Sequence, residues 1–317
     1  MVIEKVPKAE LHCHLDGIIG LEMLADICRE EPEYPLTPDF FAGAYPVDDL
    51  ASFFRWWQFI APIEGELRYF QPILGRYMAQ LKRDGVRYAE VMIAAGELPR
   101  DVGRVVAEVG AFREWVNEQE GGEIQVEFLV AIGRSKTVAQ VENIARRVLI
   151  LHEAGLVHGV ALAGPERGYP VKPFTHILAE LHEAGVGIEI HAGEWCGSES
   201  VWDALTYGYP DRIGHGVTLF EDQKLVEIFQ ERQIHIEMCP TSNLLTGSVA
   251  QLEAHPIGLA RELGLNFSVN TDDPGPFGCT MGSECQLLVD LFGFDEGDFK
   301  QMYRNALGAR FGGDLRI

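Results

Sequence analysis

Strand-like runs recur eight times along this 317-residue chain, and a segment with helical spacing follows most of them. Several runs are continuous rather than alternating, as expected for parallel strands that are buried on both faces. The predicted strands are Ala9–Leu15, Val86–Ile93, Ile124–Ile132, His158–Ala163, Val186–His191, Arg212–Gly214, Ile234–Met238 and Asn266–Asn270. Eight such strand–helix alternations predict an α/β fold, a TIM-like (β/α)8 barrel.

Helical periodicity fills the segments between these strands. The predicted helices are Leu21–Arg29, Leu67–Arg83, Val102–Glu118, Val138–Glu153, Phe174–Glu183, Glu221–Gln230, Pro256–Leu263 and Glu284–Leu291. A doubly wound open sheet is the alternative arrangement of the same elements. No internal repeat, low-complexity segment or linker divides the chain, so we expect residues 1–317 to form one domain.

One long interruption separates the first predicted helix from the second. This aromatic insertion, Glu30–Glu66, contains five prolines and a group of large aromatic residues: Phe53, Phe54, Trp56, Trp57 and Phe59. An insertion after the first strand of a barrel lies over the C-terminal face, where ligands bind. Two roles are open for it, a lid over a bound ligand or packing against the outer helices.

Composition excludes several classes of partner. The net charge of −22 leaves no basic footprint for nucleic acid or an anionic membrane, so neither is expected to bind. No apolar run approaches the ~20 residues of a membrane span, and the N-terminus lacks the apolar stretch of a signal peptide. A cytoplasmic location is therefore expected. Six irregularly spaced cysteines without a C-x-x-C pair indicate reduced thiols rather than a disulfide framework or a zinc ribbon.

Four polar clusters each follow the end of a predicted strand, and a barrel would bring them to one rim. They are His12-Cys13-His14, His191-Ala192-Gly193-Glu194, Gly214-His215-Gly216 and Thr271-Asp272-Asp273-Pro274. His12 and His14 are two residues apart on a strand, so their side chains point to the same face. With His191 and Asp272 they offer three imidazole nitrogens and one carboxylate, which suits zinc with an open coordination position.

The remaining polar residues of these clusters fit chemistry around a zinc-activated water, whose pKa falls to about 7. Glu194 lies three residues after His191 and could reach over the site as a proton shuttle. His215 stands between two glycines and could orient the hydroxide, although a hydrogen-bonded loop histidine is the alternative. Asp273 would be free to accept a hydrogen bond from a substrate.

These motifs resemble those of the adenosine deaminase family of the amidohydrolase superfamily, in order from near residue 6 to near residue 310. The first-strand motif is Pro7-Lys8-Ala9-Glu10-Leu11-His12-Cys13-His14-Leu15-Asp16-Gly17, the fourth Leu162-Ala163-Gly164-Pro165-Glu166 and the fifth His191-Ala192-Gly193-Glu194. The sixth is Arg212-Ile213-Gly214-His215-Gly216, the seventh Cys239-Pro240-Thr241-Ser242-Asn243 and the eighth Asn270-Thr271-Asp272-Asp273-Pro274. Together these motifs are highly specific.

The resemblance implies one divalent metal ion per chain, usually Zn²⁺, with ligands His12, His14, His191 and Asp272. It also implies hydrolytic removal of the 6-amino group from a purine nucleoside or base, with release of ammonia. Because no lysine lies near the end of the fourth strand, a two-metal site bridged by a carbamylated lysine is not expected.

The same resemblance implies a role for each residue around the purine. Glu194 would protonate ring N1, while His215 and Asp272 would orient the attacking hydroxide. The backbone N–H of Gly164 would meet ring N3, and Asp273 would contact N7. His14 and Asp16 would complete the contacts with the substrate.

The substrate is the least determined part of this prediction. Asp16 favours a nucleoside substrate, because relatives acting on a free base tend to carry glutamate at this position. Met92 is a departure from the family pattern, since many members carry arginine there, and it leaves the substrate open. Adenosine and deoxyadenosine rank first, then 6-aminodeoxyfutalosine, then adenine or an N6-substituted purine. A hydrolase of another aminoheterocycle, such as a pterin, and a binding protein without catalysis are the alternatives, and the intact set of polar residues disfavours the latter.

Overall fold

Eight parallel strands form one sheet in which each strand pairs with the next along the chain. The computed structural model describes residues 5–99 and 101–316. The strands are β1 (Lys8–His14), β2 (Val86–Ala94), β3 (Gln125–Gly133), β4 (Gly159–Ala163), β5 (Gly187–Ala192), β6 (Arg212–His215), β7 (His235–Met238) and β8 (Phe267–Val269). The predicted TIM-like (β/α)8 barrel is confirmed.

The barrel closes where the first strand meets the end of the eighth. Cys13 pairs with Asp272 in parallel register. The Asp272 N–H donates to the His12 carbonyl and the His14 N–H donates to the Asp272 carbonyl, both at 2.9 Å. Asn270 takes part through its side chain, because its Oδ1 accepts from the Leu11 N–H at 2.9 Å. The strand β8 ends at Val269, one residue before the predicted end at Asn270.

Helices surround the sheet and cover its outer face. In chain order they are α1 (Leu21–Glu30), α2 (Pro38–Phe41), α3 (Leu50–Trp56), α4 (Gln71–Arg83), α5 (Val102–Glu120), α6 (Val138–Glu153), α7 (Thr175–Glu183), α8 (Ser198–Tyr207), α9 (Gln223–Arg232), α10 (Pro240–Leu245), α11 (Ile257–Glu262), α12 (Pro274–Phe277), α13 (Met281–Phe292) and α14 (Glu296–Ala309). Within residues 5–99 and 101–316, none of them is long and apolar enough to cross a bilayer.

Every predicted helix is present. Six further helices were not predicted, namely α2, α3, α8, α10, α12 and α14. The signals for α14 are in the sequence, because Asp295 forms a capping box and the buried residues Phe299, Met302 and Ala306 follow helical spacing. This helix packs against β1 and β8. Its apolar stripe therefore covers the seam where the barrel closes.

The interior of the barrel contains an apolar cluster and a group of buried charges. Inward residues of β2 to β4 form the apolar cluster, which includes Met92, Leu129 and Ala161. The fully buried ionisable groups come from β1, β2 and β5 to β7, and they are Glu10, His12, Glu90, Glu189, Arg212 and Glu237. Buried charges of this kind persist only when they are paired or hydrogen-bonded.

Phe311 closes the floor of the barrel beneath the buried charges. The Arg212 guanidinium lies 3.7 Å from the centre of the Phe311 ring. The same guanidinium pairs with Glu90 at 2.6 Å and with Glu237 at 2.5 Å. A β-carbon at Gly187 would lie 2.3 Å from the Phe311 ring, so this strand needs glycine at its first residue.

We predict that Gly187→Ala lowers the free energy of unfolding by about 1–3 kcal/mol, because the added methyl displaces Phe311 from Arg212. The measurement is denaturant unfolding followed by circular dichroism. Gly110→Ala in α5 is the control, since its methyl would have no heavy atom nearer than 3.9 Å. The control should gain about 0.5–1 kcal/mol from helix propensity. Equal stability of the two variants would contradict the role given to Phe311.

Candidate active site

A cavity of about 690 Å³ opens at the carboxyl ends of the strands. Eight of the residues singled out from the sequence line it: His14, Asp16, Gly164, His191, Glu194, His215, Asp272 and Asp273. His12 lies beneath the cavity wall and is fully buried. The structure thus brings all of these residues together, at the face of the barrel where TIM-barrel enzymes carry their active sites.

The aromatic insertion contributes to this cavity in two ways. Phe53, Phe54 and Trp57 line the cavity, and Phe54 also makes an edge-on contact with Trp195, with ring centres 5.6 Å apart. Trp56 is instead fully buried and packs against Phe41. Phe41 belongs to the same insertion, so this contact is internal to it. The insertion therefore forms part of the cavity wall, and its role as a lid stays a prediction.

The predicted metal ligands form one cluster centred on His12. His12 Nε2 and His14 Nε2 each lie 3.4 Å from Asp272 Oδ1. The ligand atoms of these three residues are within 4.8 Å of one another, and so are those of His12, His191 and His215. Because His12 belongs to both groups, a single ion at this place could reach ligands from β1, β5 and the end of β8.

Unpartnered nitrogen atoms in the cluster fit a metal ion. His12 Nε2 and His191 Nε2 are buried and have no hydrogen-bond partner within the described part of the chain. On the other edge of the ring, His12 Nδ1 lies 2.8 Å from Glu237 and 2.9 Å from Glu189. A carboxylate at Nδ1 leaves Nε2 free as a ligand and fixes the ring orientation, as in many zinc sites.

Gly214 of β6 makes room for the His12 ring. A β-carbon at this position would lie 2.8 Å from His12 Cε1 and 3.0 Å from Glu189 Oε1. Any larger residue would therefore push the imidazole away from Asp272. The glycine that precedes His215 in the sequence motif is therefore required by the His12 ring of β1, across the barrel, and by Glu189 of the adjacent β5, rather than by its own backbone.

Burial and neighbouring charges shift the pKa values of the groups in the cluster in different directions. Burial lowers the pKa of His14 to about 4 and that of His215 to about 3, so both are neutral at physiological pH. Burial would also lower the pKa of His12, but Glu189 and the other negative groups around it hold it well above its ordinary value. Burial would raise the pKa of Asp272, whereas the close approach of His12 and the surrounding histidines hold it well below its usual range.

Asp272 is fixed at both carboxylate oxygens. Its Oδ2 accepts a hydrogen bond from the Ser242 hydroxyl at 2.6 Å, which leaves Oδ1 directed at His12 and His14. Its backbone adopts the left-handed conformation, with φ at 63°. Non-glycine residues in this region cluster at functional sites, where surrounding contacts maintain the strain.

Hydrogen bonds to the carboxylate of a second glutamate, Glu166, hold the loop that carries Glu194. The carboxylate of Glu166 accepts hydrogen bonds at 2.5–3.1 Å from four consecutive backbone N–H groups, those of Gly193, Glu194, Trp195 and Cys196. The Ser200 hydroxyl donates to it as well, at 2.5 Å. Successive N–H groups that converge on one anion form a nest, and here a side chain of the protein fills it.

Glu194 is positioned and tuned to act as an acid. It is 3% exposed, and its Oε2 lies 3.5 Å from His215 Nε2. Burial raises the pKa of Glu194 well above its ordinary value, and the negative charges of Asp272 and Glu166 raise it further. A buried carboxylic acid that keeps its proton near neutral pH can donate it to a bound substrate.

Two further carboxyl groups that line the cavity, those of Asp16 and Asp273, could bind a ligand through hydrogen bonds. Asp16 Oδ1 and Asp273 Oδ1 are buried and have no hydrogen-bond partner among the residues that the structure describes. Burial raises the pKa of Asp16 to about 7, and burial followed by the charge of Asp16 raises that of Glu97 to about 8. These groups suit hydrogen-bond donors on a ligand, such as hydroxyl or amino groups.

Several of the residues that organise this site were not singled out from the sequence. Glu189 precedes His191 by two residues, so strand alternation alone places it on the same inner face. Glu237 occupies an inner position of β7 in the same way. The roles of Glu166 and Ser242 depend on contacts between different loops, and their motifs carried no indication of them.

Comparison with known proteins identifies the family. The family model "Adenosine deaminase" matches residues 7–314. The chain is 30% identical to an adenine deaminase of Agrobacterium fabrum, over 96% of this chain and 93% of that protein. It is also 30% identical to an aminodeoxyfutalosine deaminase of Streptomyces avermitilis, over 98% and 87%.

A solved structure of similar shape is the adenine deaminase of Arthrobacter aurescens, with a TM-score of 0.85 and 25% identity over 98% of this chain and 95% of that one. The resemblance seen in the sequence motifs is thereby confirmed. Because the family match spans nearly the whole chain, this protein belongs to the adenosine deaminase family and is a hydrolytic deaminase.

Proposed function

We propose that this protein is a zinc-dependent aminohydrolase that removes the 6-amino group of adenosine or a related 6-aminopurine nucleoside. The observation that carries the proposal is the placement of Glu194 in the same cavity as the cluster of His12, His14, His191 and Asp272. An acid beside a set of metal ligands supplies both the proton and the activated water that hydrolytic deamination needs.

The metal ion would be held by His12, His14, His191 and Asp272, one ion per chain. Three imidazoles and a carboxylate suit zinc. When bound, the ion lowers the pKa of water and so supplies the nucleophile at neutral pH. Glu189 and Glu237 contact His12 Nδ1 and so hold the ring with Nε2 toward the other proposed ligands.

The protein's own residues would bind and polarise the purine. Glu194 donates its proton to ring N1, which weakens the aromatic bonding at C6 and favours attack on that carbon. His215 and Asp272 orient the attacking oxygen. The Gly164 N–H would meet ring N3. Burial and the charge of Asp272 hold the pKa of Asp273 well above its usual range, so Asp273 would carry a proton and donate it in a hydrogen bond to ring N7, which has only a lone pair. This contact would satisfy its carboxyl group, whose Oδ1 is unpartnered within the described residues.

The cavity supports a nucleoside over a free base. Its volume of about 690 Å³ leaves room beyond a purine ring, and the unpartnered Asp16 Oδ1 could accept a hydrogen bond from a sugar hydroxyl. Adenine is the second candidate, because the relatives from Agrobacterium and Arthrobacter are named adenine deaminases. The Streptomyces relative makes 6-aminodeoxyfutalosine a third.

A panel of four compounds tests this proposal. Zinc-loaded protein is incubated with adenosine, deoxyadenosine, adenine and an aminodeoxyfutalosine, while ammonia release and purine absorbance are followed. We expect rapid deamination of a nucleoside and a much lower kcat/KM for adenine. A preference for adenine would overturn the assignment to nucleosides, and inactivity on all four would overturn the 6-aminopurine assignment.

We predict that Glu194→Gln loses most of the turnover, with a fall in kcat of about 10²–10⁴-fold, because the amide cannot donate the proton to N1. Zinc content and KM should change little, since Glu194 is not in the proposed ligand set. Steady-state kinetics and metal analysis measure both effects. Glu199→Gln, at an exposed glutamate in the first turn of α8, is the control. Near-normal kcat with full zinc would show that Glu194 is not the acid.

We further predict that Glu237→Gln weakens zinc binding about 10–100-fold, because the His12 ring loses a charged partner at Nδ1. Competition with a chromogenic chelator gives the dissociation constant. The matched control is Glu142→Gln, which alters an exposed glutamate–histidine pair with His176 at 3.3 Å. Zinc affinity equal to that of the control would contradict the supporting role of Glu237.

A further inference from the structure

A buried histidine outside the cavity, His255, is connected to His215 through one asparagine. His255 is 3% exposed and Asn243, on α10, is fully buried. Asn243 Nδ2 lies 3.1 Å from His215 Nδ1, and Asn243 Oδ1 lies 3.1 Å from His255 Nε2. None of the chemistry described above uses His255 or Asn243.

A backbone group fixes the proton on His255. The Ile257 N–H donates to His255 Nδ1 at 3.2 Å. A backbone N–H can only donate, so Nδ1 must be the unprotonated nitrogen of this ring. Burial lowers the pKa of His255 to about 3, so the ring is neutral at physiological pH and carries its single proton on Nε2.

The proton on His255 Nε2 determines which group donates in the two hydrogen bonds that lead from His255 through Asn243 to His215. His255 Nε2–H donates to Asn243 Oδ1, and the amide group of Asn243 must then turn its NH₂ toward His215. If the Asn243 amide were reversed, its NH₂ would face the Nε2–H of His255, and two hydrogen-bond donors would meet in a fully buried position. The NH₂ therefore donates to His215 Nδ1, which must accept, and neutral His215 carries its proton on Nε2.

We propose that Asn243 and His255 are positioning residues that hold His215 as its Nε2–H tautomer, so that His215 donates a hydrogen bond into the cavity. This nitrogen lies 3.5 Å from Glu194 Oε2, which can accept from it. His191 Nδ1 lies 3.3 Å away, but it would carry the proton of that ring once Nε2 binds the metal ion, so it is not an acceptor for His215. A neutral imidazole with its proton already on Nε2 cannot accept another proton there from the attacking water. His215 would orient the oxygen as a donor and leave proton transfer to Glu194. The catalytic consequence rests on the proposed function, whereas the tautomer itself does not.

The sharpest test is Asn243→Asp, which keeps the shape but leaves only acceptor oxygens. His215 Nδ1 must then carry a proton, and the neighbouring metal ion disfavours the doubly protonated ring. We expect Nδ1 to become protonated and Nε2 to lose its proton. A wrong histidine tautomer is costly in enzymes that depend on one, so kcat should fall about 10²-fold or more. KM and zinc content should stay close to those of the unaltered protein.

Asn266→Asp is the matched control. Asn266 also pairs with a buried histidine, since its Oδ1 lies 2.9 Å from His235 Nδ1. Its Nδ2 donates to the Gln233 carbonyl at 2.8 Å, so the Oδ1 already accepts from His235 and the substitution changes no tautomer. This pair lies at the opposite end of the barrel from the cavity. We expect kcat within about threefold of the unaltered protein, since exposed or half-buried changes away from the site cost little.

Nitrogen-15 NMR of histidine-labelled, zinc-loaded protein reads the tautomer without any substrate. The His215 signals are assigned with His215→Gln. The proposal requires protonated Nε2 and bare Nδ1 in the unaltered protein, and protonated Nδ1 in Asn243→Asp. Protonated Nδ1 in the unaltered protein, or unchanged kcat in Asn243→Asp, would overturn it. If the tautomer is as proposed but no purine is deaminated, only the proposed function fails.

His255→Phe provides a second variant should Asn243→Asp fold poorly. It removes the donor to Asn243 Oδ1 and frees the amide to rotate, so we expect both His215 tautomers and a smaller loss of kcat. A single Nε2–H tautomer with unchanged kcat in this variant would show that His255 has no influence on His215.

Discussion

The short run of backbone hydrogen bonds between β1 and the end of β8 is the constraint on which the site depends. The His12 carbonyl accepts from the Asp272 N–H, and the Asp272 carbonyl accepts from the His14 N–H. These two bonds close the barrel and at the same time set the Asp272 carboxylate against both imidazoles. Closure of the barrel therefore places the Asp272 carboxylate beside His12 and His14, two of the other proposed metal ligands.

A series of buried ion pairs beneath this seam connects the floor of the barrel to the face that carries the cavity. Arg212 pairs with Glu90 and Glu237, and Glu237 in turn contacts His12. Phe311 covers the guanidinium from below. A fully buried arginine is tolerated only with such partners. The C-terminal segment of the chain thus supports, through three contacts, the orientation of a histidine at the opposite end of the barrel.

Much of this structure could be predicted from the sequence, because the signals are local. Strand-like runs, several of them continuously apolar, identified all eight strands, and the spacing of His12 and His14 placed both on one face. The side-chain closure by Asn270 and the loop anchoring by Glu166 could not be predicted, since each depends on a contact between segments distant in the chain. Helix α14 was missed although Asp295 and the spacing of Phe299 and Met302 indicate it. The direction of the hydrogen bonds at His215 required the position of the Ile257 N–H, which no motif records.

Diffraction at the zinc absorption edge from crystals of the zinc-loaded protein tests the central claim most directly. One anomalous peak per chain is expected on the Nε2 side of His12, about 2.0–2.2 Å from its ligand atoms. His14, His191 and Asp272 should complete its coordination. A peak on the other side of the His12 ring, between Glu189 and Glu237, would contradict the assignment of the catalytic metal site. Two peaks of similar height would contradict the single-metal site.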